Sequence, residues 1–189
     1  GYFAPTIKDI IMNVDHYYKK KKKTARKVIK FFAPEKKQPE LKLYLLDKYS
    51  ETADLKEAQK LMKEGVDFGL LSEAGLPCIG DPGNIIVGWS HNNKVKVIPV
   101  NGPSSFVLAL IASGFNGQQF SFNGYLAIEK EKKKKEIQHL ESLVEKTGFT
   151  QIFMETPYRN NPLFEDLTKF LNPNTEVCIA ANINDAENE

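Results

Sequence analysis

The chain has 189 residues, 41% hydrophobic and 26% charged, near the averages for soluble globular proteins and long enough for one large or two small cores. Its 26 basic and 24 acidic residues leave a net charge of +2, which excludes a polycation, so any affinity for nucleic acid must come from local patches. No apolar run approaches the ~20 residues of a membrane helix, no signal peptide opens the chain, and three histidines without paired spacing and no Cys-x-x-Cys argue against a metal site; the protein is expected to be cytoplasmic, with Cys78 and Cys178 as buried thiols of a reducing compartment.

Short β-like runs alternate with helical stretches. In chain order the pattern predicts helices over 5–13 and 24–32, a strand over 41–46, a helix over 52–65, a strand over 67–71, a helix over 83–92 and a strand over 95–100. A helix over 104–114, a strand over 119–123, a helix over 129–147, a strand over 151–154, a helix over 160–171 and a strand over 176–181 complete the series. Helix start signals are Thr52 with Asp54 ahead of Leu55, Pro103-Ser104-Ser105 ahead of Phe106, and Asn161-Pro162 ahead of Leu163. This alternation predicts an α/β fold with mainly parallel strands. The Gly-Pro break in Val100-Asn101-Gly102-Pro103 is the expected boundary between an α/β domain over 1–100 and a second over 101–189. The chain opens on helix-like residues and stops just after a strand, so a first strand of the first domain and the last strands of the second are expected to be missing.

Two lysine runs, Lys19 to Lys23 and Lys130 to Lys135 with Glu131 inside it, read first as solvated faces. Three segments carry possible chemistry. The run Leu71-Ser72-Glu73-Ala74-Gly75-Leu76-Pro77-Cys78-Ile79-Gly80-Asp81-Pro82-Gly83 follows an apolar strand and opens a helix. Its glycines permit close approach of a ligand to the backbone and its prolines hold its shape; in open α/β sheets ligands bind beyond the carboxyl ends of strands. The plainer reading is a strand-to-helix turn with Asp81 capping a helix that starts near Pro82, although a turn needs far fewer residues. The second segment, Asn101-Gly102-Pro103-Ser104-Ser105, either lines a site or starts a helix with a serine cap. In the third, Met154-Glu155-Thr156-Pro157-Tyr158-Arg159, Arg159 either clamps a phosphate or carboxylate or pairs with Glu155.

The order of these segments resembles the tetrapyrrole methylase-like S-adenosylmethionine (AdoMet) methyltransferases, and within them the branch that 2′-O-methylates a cytidine of small-subunit ribosomal RNA. That branch carries Ser-Asp-Ala-Gly-x-Pro-x-x-x-Asp-Pro-Gly, matched by Ser72 through Pro77 and Asp81-Pro82-Gly83, then Pro-Gly-Pro-Ser, matched at Gly102-Pro103-Ser104. A Ser-Gly-Phe turn at residues 113–115, a strand end at Phe122-Asn123-Gly124-Tyr125-Leu126, a lysine-rich helix and a Glu-Ser-Pro-His-Arg counterpart at Glu155-Thr156-Pro157-Tyr158-Arg159 follow in the same order, so the match runs from about residue 41 to 181.

The resemblance implies two α/β domains with mainly parallel or mixed sheets, AdoMet folded into the cleft between them, and a homodimer acting on ribosomal RNA or the small ribosomal subunit. It assigns cofactor contacts to Ser72, Ala74, Gly75 and Pro77, to Gly102, Pro103 and Ser104, and, near the adenine, to Met154 and Ala181. A ribose hydroxyl is a weak nucleophile that profits from a nearby acceptor; Glu73 and Glu155 are the candidates. Lys19 to Lys23, Arg26, Lys27 and Lys30 are expected on the RNA backbone, with Lys21, Lys23 and Arg26 as named substrate contacts and Arg159 as a clamp. Tyr17, Tyr18 and Tyr125 either stack on unpaired bases or fill core and rim positions. Besides the missing closing strands of the second domain, the sequence departs from the family pattern in three places. The opening strand Tyr-Leu-Val-Pro-Thr-Pro-Ile-Gly is not found; lysine stands where an acid precedes Thr24-Ala25-Arg26; and Glu73 replaces the usual Asp. Two rival readings are a porphyrin or corrin precursor methylase, whose loop would read Gly-Gly-Asp-Pro, and a non-catalytic AdoMet- or RNA-binding relative.

Overall fold

The computed structural model describes residues 7–19, 22–46, 53–73 and 75–183, with the side chains of all of these except 22, 53 and 54. The chain divides into two units, Gly1–Pro103 and Ser104–Glu189. In the first, α1 (Ile7–Asn13) leads into β1 (His16–Lys19) and α2 (Lys22–Phe32), followed by β2 (Lys42–Leu45), α3 (Ala53–Lys63), β3 (Phe68–Leu70) and α4 (Asn84–Asn92). The strands form one parallel sheet in the order β2-β1-β3, with His16 opposite both Lys42 and Phe68.

Strand β1, which the sequence pattern did not predict, is the centre of this sheet. Side chains alternate faces along a strand, so adjacent tyrosines serve two different cores. Tyr17 packs with Ile11, Ile29, Ala33 and Leu41 under α1 and α2. Tyr18 packs with Tyr44, Leu46, Leu55, Ala58 and Ile86 under α3 and α4. The helices fit these faces because their apolar residues recur at helical spacing, Ala25-Ile29-Ala33 on α2 and its C-terminal end and Leu55-Ala58-Met62 on α3. The Tyr17 hydroxyl donates to the Ile11 carbonyl at 3.2 Å, and burial pushes its pKa up to about 12. Burial likewise raises the Tyr18 phenol, whose hydroxyl faces the Met62 sulfur at 3.5 Å.

Gly69 on β3 pairs with Tyr17 across the sheet, and a Cβ added there would lie 2.5 Å from two carbons of the Tyr17 ring. The ring is buried and tethered by its hydroxyl, so it has little room to yield. Gly69→Ala is therefore expected to destabilise the protein by about 1–3 kcal/mol, the usual cost of overpacking, read as a lower urea midpoint. The penalty should shrink in a Tyr17→Leu background; an equal penalty in both backgrounds would refute the contact as its cause.

His16 sits at the start of β1, its Nδ1 3.1 Å from the Tyr44 hydroxyl and its ring 4.9 Å from that of Phe68. Burial holds its pKa below the ordinary histidine value, against the opposing pull of Asp15. The unfolded chain thus takes up a proton at a higher pH than the folded one. This contribution to stability is complete above about pH 6.5 and is lost as pH falls through that value toward the folded pKa. Urea midpoints are expected to drop between pH 7 and 5 in the wild type and to drop less in His16→Phe; parallel pH profiles would overturn the assignment.

The second unit contains α5 (Ser105–Ser113), β4 (Phe120–Tyr125), α6 (Lys130–Thr147), β5 (Thr150–Met154) and α7 (Asn160–Phe170). Its two strands are parallel, with Phe122 opposite Ile152 and an irregularity before Tyr125 pairs with Met154. Leu126, Ile137, Leu140, Leu163 and Leu167 form its core, mainly between α6 and α7. Lys133 on α6 and Asp166 on α7, both largely buried, pair at 2.9 Å. A cavity of about 180 Å³ lies in this unit among α5, α6, β5, α7 and the segment 175–180, with Leu110, Leu140, Ile152 and Val177 on its walls.

The strands expected over 95–100 and 176–181 do not form: among the described residues neither segment pairs with a neighbour. Val95 and Val97 still alternate with exposed lysines, but alternation makes a strand only when a ladder of hydrogen bonds exists to receive it. Thr52, read as part of a helix start, lies outside the described residues. No helix among the described residues is long and apolar enough to cross a membrane.

Candidate functional site

Strand β3 hands the chain to the 72–83 loop at the carboxyl edge of the first sheet. The Leu71 amide still donates to the Tyr18 carbonyl at 3.0 Å, and beyond it the backbone leaves the ladder. Asp81 then organises the loop. Its Oδ1 accepts from the Gly83 amide at 2.8 Å and the Cys78 amide at 3.3 Å, and its Oδ2 accepts from the Ser72 hydroxyl at 3.4 Å. The expected role of Asp81 as cap of a helix near Pro82 is thereby corrected. Helix α4 starts at Asn84 with Gly83 at its N-cap, and Asp81 clasps the two ends of the loop instead.

The clasp holds a strained backbone. Cys78 has φ +72°, a left-handed conformation that costs a non-glycine residue about 1–2 kcal/mol. Burial, and secondarily Asp81, raises the Cys78 pKa. Gly83 is required by crowding, since a Cβ there would come within 2.9 Å of both Asp81 Oδ1 and Leu70. Gly75 is required by conformation, with φ +66°, and it is exposed. The second motif lies against this loop: a Cβ on Gly75 would stand 3.9 Å from the Pro103 carbonyl, and one on Gly102 would stand 3.2 Å from Leu76. Ser72 and Pro77 are half-buried, Glu73 is exposed, and Ala74 lies outside the described residues. Ser104 occupies the N-cap position of α5 but makes no side-chain capping bond.

In the second unit Met154 ends β5, and the polar segment that follows closes on itself. Glu155 Oε1 accepts from Arg159 Nε at 2.8 Å and Nη2 at 2.7 Å, and from the Thr156 amide at 2.7 Å. Of the two readings of Arg159, its pairing with Glu155 is the one the structure contains; the guanidinium that was to clamp a phosphate is held by the neighbouring carboxylate. Glu155 is itself spent on this ion pair. Ala181 is exposed on an irregular segment.

The basic and aromatic residues of the first unit need a larger correction. Tyr17, Tyr18 and Lys19 are only 2%, 1% and 2% exposed, so the tyrosines cannot stack on bases and Lys19 cannot meet a phosphate. Strand β1 carries all three because the centre of a parallel sheet is covered on both faces. Arg26 donates to the Gln38 carbonyl. Lys23, Lys27 and Lys30 are exposed on α2, Tyr125 is half exposed, and Lys21 lies outside the described residues. The site residue that sequence reasoning undervalued is Asp81, whose hydroxyl partner Ser72 is nine positions away and carries no local cue.

Comparison with known proteins adds the following. The family model described as Tetrapyrrole (Corrin/Porphyrin) Methylases matches residues 3–185. The chain is 32% identical over 139 residues to the ribosomal RNA small subunit methyltransferase I of Vibrio cholerae serotype O1, covering 74% of this chain and 47% of that protein. It is 33% identical over 138 residues to the like-named protein of Buchnera aphidicola, covering 73% and 48% respectively. With that of Bacillus subtilis it shares 42% identity over 98 residues, 52% of this chain and 32% of that one. The chain thus spans about half the length, or less, of these curated relatives. Among solved structures, the crystal structure of the methyltransferase CobJ superposes with a TM-score of 0.53 over 90% of this chain and 71% of that one, at 15% identity, a likeness of fold alone.

Proposed function

The chain belongs to the tetrapyrrole (corrin/porphyrin) methylase family, and on that premise we propose that it is an AdoMet-dependent methyltransferase acting on a ribose 2′-hydroxyl of small-subunit ribosomal RNA. The observation that carries the proposal is the Asp81-clasped loop, with Gly102 and Pro103 laid against it at the carboxyl end of a parallel strand. The residues present fit such a cofactor: Gly75 offers exposed backbone with no side chain in the way, on a loop whose shape is held by Asp81 and two prolines. The relatives named for small-subunit ribosomal RNA support the substrate class. The family resemblance extends the reading to a cytoplasmic homodimer.

When bound, AdoMet supplies an electrophilic methyl group. This chain's part is to position it, to exclude water and to accept the proton of the ribose hydroxyl. Glu73 is the acceptor, because its carboxylate is exposed at the mouth of the loop whereas that of Glu155 is held by Arg159.

The test is calorimetric titration of the protein with AdoMet, together with transfer of tritiated methyl groups to small ribosomal subunits that lack the modification. Binding and labelled RNA are the expected results. Binding without label would make the chain a non-catalytic relative, label on a tetrapyrrole precursor instead would make it a precursor methylase, and absence of binding would overturn the proposal.

A further inference from the structure

Among the described residues of the first lysine run, Lys19 is buried and Lys23 is exposed, and Arg26 beyond it is held by Gln38. The second behaves differently. Lys130, Lys132 and Lys135 are exposed along α6, and Lys134 lies beside them. Only Lys133 of this run makes an ion pair among the described residues, and that pair joins α6 to α7. Two acids of the same helix are used internally. Glu136 accepts from the Ala127 amide at 2.7 Å, and Glu141 accepts from the Asn172 amide at 2.7 Å. From α7, Lys169 reaches the same phenyl ring as Lys134: the two ammonium groups stand 5.8 and 5.6 Å from the centre of Phe170.

This arrangement opposes the stability of the helix that carries it. Helices favour acids in their first turn and bases in their last; α6 has Glu131 and Lys146 in those places but also crowds Lys130, Lys132 and Lys133 into its first turn. Lys130 and Lys134 repel at i, i+4, and Lys132 and Lys135 at i, i+3. Cations gathered against the helix dipole, and drawn from a second helix onto one ring, suit a polyanion that spreads its charge along a chain.

We propose that Lys130, Lys132, Lys134 and Lys135 of α6, with Lys169 of α7, form the surface that grips the phosphate backbone of the RNA substrate. The proposal rests on the methyltransferase reading for the identity of that RNA, and on this surface alone for its binding. The contact is electrostatic and independent of sequence.

The test compares two triple variants of the full chain, Lys130→Gln/Lys134→Gln/Lys169→Gln and the control Lys23→Gln/Lys27→Gln/Lys30→Gln on α2. Fluorescence anisotropy with a short labelled single-stranded RNA is read between about 50 and 200 mM salt. The α6–α7 variant is expected to lose about tenfold or more in affinity at the lower salt, with the slope of log affinity against log salt falling by about two, as three lost phosphate contacts require. Its melting temperature should stay level or rise, because repulsion at the start of α6 is relieved. The control should keep most of both affinity and slope. An unchanged slope in the α6–α7 variant, or an equal loss in the control, would overturn the proposal. AdoMet titration of the same variants is expected to match wild type; loss of cofactor binding by the wild type would count against the methyltransferase reading and leave the RNA comparison readable.

Discussion

Asp81→Ala is expected to raise the dissociation constant for AdoMet by about two orders of magnitude while both units stay folded. One carboxylate accepts the Gly83 and Cys78 amides and the Ser72 hydroxyl. The 2.8 Å bond to Gly83 is charge-assisted and worth about 1.5–3 kcal/mol, and the two longer ones add less. With the clasp gone, nothing local offsets the left-handed strain at Cys78, and the loop relaxes toward conformations that no longer present Gly75. A loss near 3 kcal/mol corresponds to about a hundredfold in affinity. Asp81→Asn keeps a neutral acceptor and should fall between the two. Calorimetry measures the affinities and far-ultraviolet circular dichroism the fold; an affinity within about threefold of wild type would show that the loop shape does not depend on Asp81.

Glu73→Gln should lower the rate of methyl transfer by about a hundredfold, within the range for loss of a positioned proton acceptor. AdoMet affinity should hardly change, since the substitution removes a charge and leaves the backbone of the loop in place. Single-turnover transfer to saturating ribosomal subunits separates the chemical step from binding. Glu155→Gln provides the contrast. It breaks the ion pair with Arg159, so it should cost stability more than rate. If Glu155→Gln slows transfer more than Glu73→Gln does, the roles assigned to the two carboxylates are exchanged.

What could be read from residues alone depended on how local the cause was. Helices α3, α6 and α7 were legible because their apolar residues repeat at helical spacing, and α3 and α7 carry start signals at Thr52 with Asp54 and at Asn161-Pro162. Strand β1 was not legible: His16-Tyr17-Tyr18-Lys19 has no apolar alternation, and its lysine runs into four more. It is a strand because β2 and β3 bond to it from both sides and two sets of helices cover its faces. The segment over 95–100 shows the reverse, with strand-like alternation and no partner among the described strands.

The sequence by itself determined the family, through five motifs in order, and it determined where the candidate cofactor loop lies between residues 71 and 83. Motif order survives in the sequence because each glycine, proline or serine answers to a backbone need that is local. Only the tertiary structure decided what the charged and aromatic groups do. It turned Asp81 from a cap into a clasp, engaged Glu155 with Arg159, and sent Tyr17 and Tyr18 into two cores. It also buried Lys19 and left Lys130, Lys132 and Lys135 exposed along α6. A side chain's charge is written in the sequence, but its partners and its access to water depend on residues brought near from elsewhere in the chain, and these set whether that charge is spent inside the fold or left to bind RNA.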